Sequence, residues 1–140
     1  MNAVVVATHG EYGNSLVGTL KMILGEVEGI QSLALTPEDS METFQEKLEK
    51  ALRAVDPEDK GALVLVDMLG GTPFNVAMFL AQKRKITVIT GANLPMLIKI
   101  TTYPRAEDLQ VFALDVQKTA RESILTSVEL LKKLEPHLSS

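Results

Sequence analysis

The chain has 140 residues, 46% of them apolar, with a net charge of −4 and no cysteine. Such a length and apolar share suffice for one domain with a buried core. The acidic balance speaks against nucleic acid as a partner, and the lack of thiols excludes disulfides, thiol nucleophiles and thiolate metal sites.

Taken in order, Ala3 to Ala7 reads as a buried strand, too short and too valine-rich for a helix, with Thr8-His9-Gly10 at its carboxyl end. Asn14 or Ser15 can cap a helix with Leu16, Leu20, Ile23, Leu24 and Val27 on its apolar face, closed near Gly25 or Gly29. Ile30, Leu33 and Leu35 form a second strand that ends at Thr36-Pro37. Asp39 or Ser40 then starts a helix whose stripe is Met41, Phe44, Leu48, Leu52 and Val55, with Glu42, Glu46, Glu49 and Lys50 facing water.

Ala62 to Val66 is the most strand-like run, and Asp67-Met68-Leu69-Gly70-Gly71-Thr72-Pro73-Phe74-Asn75 follows it. Thr72 stands where a helix N-cap belongs and Pro73 where a first helical residue belongs, so a helix is expected from Pro73 to about Lys83, burying Val76, Phe79 and Leu80. Lys83-Arg84-Lys85, the one basic cluster, suits that helix's C-terminus. Ile86 to Thr90 is a fourth strand, and Gly91-Ala92-Asn93 leads into a helix with Met96, Leu97 and Ile100, stopped by Tyr103-Pro104. Leu109, Phe112, Ala113, Val116 and Ala120 recur at helical spacing. From Ile124 to Leu130 strand-like alternation and helical spacing compete, and pattern alone leaves both open.

Four strand–helix alternations imply a doubly wound parallel sheet with helices on both faces and right-handed crossovers. In the order 2-1-3-4, strands one and three are neighbours, and ligands bind beyond the carboxyl ends of strands where the order reverses. His9 and Asp67, 58 positions apart (67 minus 9), then come together beside a glycine-rich helix start. Asp67 can accept from His9 Nδ1–H and leave the Nε2 lone pair outward, free to attack phosphorus. Gly70, Gly71 and Thr72 would offer donors to phosphoryl oxygens at the positive end of a helix dipole. No G-x-x-x-x-G-K-[ST] loop and no carboxylate cluster for magnesium is evident, which speaks against a nucleotide donor. Neither a cofactor nor a metal is expected.

These residues are also where the chain resembles a known family. Val6-Ala7-Thr8-His9-Gly10, then Leu65 to Asn75, then Gly91-Ala92-Asn93-Leu94-Pro95-Met96-Leu97 are similar to the mannose/fructose-family enzyme IIA of the bacterial phosphoenolpyruvate-dependent sugar phosphotransferase system, over nearly the full length. The resemblance implies that His9 takes a phosphoryl group from the phosphorylated histidine phosphocarrier protein and hands it to enzyme IIB. It implies that Asp67 partners His9, and that Thr72, where members commonly carry serine, contacts the phosphoryl group. Thr8 and Gly10, flanking His9, are expected beside that group too. Tyr12, Leu69, Phe74, Leu94 and Met96 are expected at the rim, where apolar groups suit protein docking. The resemblance further implies a homodimer with a C-terminal antiparallel strand, drawn from Ile124 to Leu130, crossing to the partner. It also implies a free-standing IIA domain over 1–134 with a frayed tail over 135–140. No apolar run approaches the ~18 residues that span a bilayer, and the N-terminus lacks a signal peptide's basic region. A cytoplasmic location is therefore expected, with membrane contact only through the permease complex.

Each residue also has an ordinary duty. A histidine after a strand is usually structural, aspartate commonly caps its own turn, and paired glycines often make only a tight connection. His137, after Pro136, reads as solvated, and so do the carboxylates of Asp56, Glu58 and Asp59. Three other functions compete: the phosphocarrier subunit of a dihydroxyacetone kinase system, a hydrolase using Thr72, His9 and Asp67 as a triad, and a non-catalytic phosphate-sensing module. No G-x-S-x-G elbow supports the hydrolase.

Overall fold

Short β-branched and aliphatic runs build the sheet, and the computed structural model describes residues 2–103, 105 and 107–138. Strands β1 (Val4–His9), β2 (Ile30–Leu35), β3 (Ala62–Val66) and β4 (Ile86–Ile89) pair in parallel in the order β2-β1-β3-β4. The helices are α1 (Tyr12–Leu24), α2 (Met41–Val55), α3 (Gly71–Leu80), α4 (Leu94–Thr102), α5 (Leu109–Glu122) and α6 (Ser127–Leu138). The expected doubly wound α/β architecture and strand order are both present.

Strand alternation divides the interior into two cores. Val4 and Val6 of β1 and Leu63 and Leu65 of β3 pack with Val17 and Leu20 of α1, Leu97 and Ile100 of α4 and Phe112 and Val116 of α5. On the other face, Val5, Ala7, Val64 and Val66 pack with Phe44, Leu48 and Leu52 of α2 and Val76 and Leu80 of α3. Full burial of each large side chain contributes ~1.5–3 kcal/mol. Between β1 and β3 the register sets Ala7 opposite Val66, where β3 ends, and β1 continues for two residues more, to His9.

Several expectations are corrected. Helix α1 begins at Tyr12, ahead of Asn14 and Ser15, because Gly13 N–H finds the Thr8 hydroxyl at 2.7 Å. The inward face is Gly13, Val17 and Leu20, leaving Ile23 and Leu24 exposed. Helix α3 begins at Gly71 with Gly70 as N-cap, so Thr72 and Pro73 lie inside its first turn, and it ends at Leu80. That phase buries Pro73, Val76, Ala77 and Leu80 and turns Phe79 outward, under the Lys83 ammonium. Lys83, Arg84 and Lys85 therefore lie in the connection to β4. Asp56 is buried, because it accepts from Lys60 N–H and Gly61 N–H, each at 2.9 Å.

The C-terminal segment, for which the family resemblance implies a strand, is helical from Ser127 in the single chain. Ile124 to Thr126 has no regular structure and α6 starts at Ser127, its first turn held by the Thr126 hydroxyl accepting Glu129 N–H at 3.2 Å. Within one chain the segment forms no ladder with β4, so local hydrogen bonding decides its state. Helix α6 runs to Leu138, into the stretch expected to fray, while the His137 side chain lies outside the described residues. Helix α4 ends at Thr102 and Tyr103 is extended; Pro104, expected to stop it, lies outside the described residues as well.

At the start of α2, Ser40 and Thr43 form a reciprocal capping box. Asp39 beside it accepts from Lys47 Nζ at 2.6 Å, Thr36 N–H at 2.9 Å, and the Thr36 and Thr43 hydroxyls, each at 3.0 Å. The Lys47 ammonium, followed by the Thr36 amide, holds its carboxyl well below the usual carboxylate range. A carboxyl whose pKa falls on folding stabilises the fold above its unfolded pKa of about 3.9 and loses that contribution as pH drops towards the folded value. Asp39→Asn should therefore lower the thermal midpoint at pH 7, with the gap from wild type closing below about pH 4. Thermal scans across pH check this, and a pH-independent gap would refute it.

Candidate active site

Because β3 ends opposite Ala7 and β1 runs two residues further, His9 and the residue after β3, Asp67, meet across 58 positions of sequence. His9 Nδ1 lies 2.9 Å from Asp67 Oδ2, and the same oxygen accepts His9 N–H at 3.2 Å. A carboxylate only accepts, so the ring proton is assigned to Nδ1 and the lone pair to Nε2. The His9 side chain is 45% exposed, so the ring reaches solvent.

The opposite wall is glycine. A Cβ built on Gly71 would lie 3.0 Å from His9 Cε1 and 3.3 Å from Nε2, and Gly71 sits at φ +82°. Gly70, also left-handed at φ +84°, precedes it as the α3 N-cap. The amides of Gly70, Gly71 and Thr72 precede the first intrahelical hydrogen bond, and Pro73 has no N–H to leave unpaired. The imidazole thus faces a helix start rich in free donors, at the positive end of its dipole.

Other expected site residues are placed differently. Thr8 is fully buried, its hydroxyl accepting Gly13 N–H and donating to the His9 carbonyl at 3.1 Å; it supports the site from beneath instead of lining it. Gly10 N–H is taken by the Leu35 carbonyl at 2.9 Å. Of the expected docking residues, Tyr12 and Leu69 are exposed, Phe74 and Leu94 are partly buried against the two cores, and Met96 is a core residue. Met68, next to Leu69, is exposed as well. Sequence reasoning missed the Thr8–Gly13 contact, whose signal is a hydroxyl at the end of an otherwise apolar strand five residues before a glycine. Among the described residues no three His, Asp or Glu side chains gather where they could hold a metal ion.

The family model described as "PTS system fructose IIA component" matches residues 3–117. The chain belongs to the mannose-family enzyme IIA components of the sugar phosphotransferase system. This IIA chain is 38% identical over 126 residues to the "PTS system mannose-specific EIIAB component" of Escherichia coli K12, covering 87% of this chain and 38% of that one. It thus spans well under half the length of that relative. It is 29% identical over 136 residues to the "PTS system fructose-specific EIIA component" of Bacillus subtilis 168, covering 96% of this chain and 92% of the other. Among solved structures, the mannose/sorbose-specific IIA subunit from Enterococcus faecalis superposes with a TM-score of 0.80 at 28% identity, covering 89% of this chain and 93% of that one. Component EIIA from Streptococcus agalactiae gives 0.83 at 26%, covering 92% and 99%. Among the described residues of this IIA chain no helix is long and apolar enough to cross a membrane.

Gly71→Ala should both strain the backbone, by roughly 1–2 kcal/mol, and push the ring aside. Gly25, at φ +81° with nothing within 4 Å, isolates the strain alone. Both alanine variants should lose similar stability, but only Gly71→Ala should shift the His9 ring resonances. Unmoved His9 signals in Gly71→Ala would refute the contact.

Proposed function

We propose that this IIA chain accepts a phosphoryl group on His9 Nε2 from the phosphorylated histidine of the phosphocarrier protein and passes it to enzyme IIB for sugar uptake. The observation that carries this is the 2.9 Å Nδ1–Oδ2 pair with the half-exposed ring set against Gly71. The Nε2 lone pair attacks phosphorus, the P–N bond of the donor breaks, and its electron pair returns to the donor imidazole. No proton need leave His9. The ring keeps Nδ1–H and gains positive charge next to the Asp67 carboxylate, which stabilises it. Amides of Gly70, Gly71 and Thr72 receive the phosphoryl oxygens, with the Thr72 hydroxyl as a further donor. Transfer to IIB is the same displacement in reverse, with a IIB nucleophile attacking. Tyr12 and Leu69, with Phe74 and Leu94 behind them, form the docking rim for both partners, and Asp67 acts as a positioning residue.

The chain works in the cytoplasm as a homodimer and meets the membrane only through the permease. Two features support the dimer. β4 is an edge strand, flanked by a groove of about 730 Å³ that β4 forms with α3 and α5 and that Ile124 borders. Ile124, Leu125, Val128, Leu130, Leu131 and Leu134 are all exposed in the single chain, an apolar stretch that suits burial against a second copy.

Incubation with phosphoenolpyruvate, enzyme I and the phosphocarrier protein should add one acid-labile phosphoryl group, lost in His9→Ala and kept in His137→Ala by mass spectrometry. No modification would favour the phosphate-sensing module, and a stable adduct on Thr72 the hydrolase. Asp67→Asn should slow uptake roughly 10- to 100-fold by losing the correct tautomer; an unchanged rate removes Asp67 from the mechanism. In sedimentation, the full chain should run as two copies and a chain ended after Ser123 as one. A full-length monomer would overturn the dimer.

A further inference from the structure

The Tyr12 hydroxyl donates to the Ala92 carbonyl at 2.7 Å, joining the first turn of α1 to the β4–α4 loop across 80 positions of sequence. Ala92 is buried, and its N–H donates to the Val66 carbonyl at 2.9 Å. Val66 immediately precedes Asp67. At the other end, Gly13 N–H donates to Thr8 Oγ1 at 2.7 Å, and that hydroxyl donates to the His9 carbonyl. A Cβ on Gly13 would stand 3.0 Å from Thr8 Oγ1, so the α1 start that carries Tyr12 is seated directly on β1. These contacts close a circuit from His9 through Thr8, Gly13, Tyr12, Ala92 and Val66 to Asp67, and back to His9 by the Nδ1–Oδ2 bond.

The carboxylate itself is anchored on one side only. Among the described residues Asp67 Oδ1 is buried with no hydrogen-bond partner, while Oδ2 takes both bonds from His9. Among the described residues no group outside His9 donates to the carboxylate, so its separation from the imidazole depends on how firmly the two loops are held relative to each other. The β1–β3 ladder fixes them from below, and the Tyr12–Ala92–Val66 chain is the tie above it.

We propose that the Tyr12 hydroxyl is a positioning group that holds the His9 loop at its working distance from the Asp67 loop, a duty separate from any docking contact of the exposed ring. The proposal rests on His9 being the phosphoryl acceptor. A hydrogen bond of ordinary strength predicts an effect of about five-fold when the hydroxyl is removed. Phenylalanine keeps the ring and deletes only the donor, whereas leucine removes both.

Wild type, Tyr12→Phe and Tyr12→Leu are compared in single-turnover phosphoryl uptake from the phosphorylated phosphocarrier protein, and by nitrogen-15 spectra of the His9 ring. Tyr12→Phe should lower the rate at saturating donor about five-fold, leave half-saturation unchanged, and shift the His9 Nδ1 signal with faster exchange of its proton. Tyr12→Leu should add a rise in half-saturation. A Tyr12→Phe chain with wild-type saturating rate and unmoved ring signals overturns the proposal, as does a change in half-saturation alone. If wild type takes up no phosphoryl group, the acceptor reading falls. The ring spectra of Tyr12→Phe then decide the positioning role by themselves: a shifted Nδ1 signal upholds it, an unshifted one ends it.

Discussion

The parallel register between β1 and β3 is the constraint on which the site depends. Ala7 opposite Val66 is the last pair between these strands; β3 ends there while β1 runs on against β2, so His9 at the end of β1 and Asp67 just after β3 stand beside each other. A slip of one residue would send every inward side chain of β1 to the other face. It would also carry His9 past Asp67, so packing of the valines and assembly of the polar pair are a single event. The apolar strand supplies the energy and the polar residues occupy the position that it defines.

At the top of the sheet the chain resolves a conflict between close approach and donor supply. A helix start against an imidazole needs a residue without a side chain, and Gly71 meets that need with a left-handed backbone. The first turn must also leave few amides stranded, and Pro73 removes one of them without breaking any intrahelical bond. Thr8 deals with the same problem at α1, where its buried hydroxyl takes an amide that no residue of the helix could satisfy.

Most of this was readable in the residues because it follows from local pattern. Short runs of valine, leucine and isoleucine mark the four strands, and glycine placement marks the loop between β3 and α3. Errors arose where a tertiary contact overruled local preference. Thr72 and Pro73 look like a cap and a first helical position, yet Gly70 and Gly71 extend the helix backwards to reach His9. Met96 reads as a rim residue by its neighbourhood in the motif, but Asn93 caps α4 through Met96 N–H and turns that side chain into the core. Phe79 faces out because Pro73, Val76, Ala77 and Leu80, spaced three and four apart, form the stripe that packs on the sheet. The segment after Ser123 carries two periods at once, and a side-chain cap from Thr126 tips the single chain towards helix. No pattern distinguishes Asp56, a buried turn anchor, from its solvated neighbours.

The sheet separates two interiors, Val4 and Val6 facing one and Val5 and Ala7 the other. A crevice or a bulge opened on one side cannot be filled from the opposite side, because a layer of backbone stands between them. A change of side-chain volume in the half built by α1, α4 and α5 is therefore buffered from the half built by α2 and α3. The strands are shared by both sides, and the polar pair at their ends sits where the two halves meet.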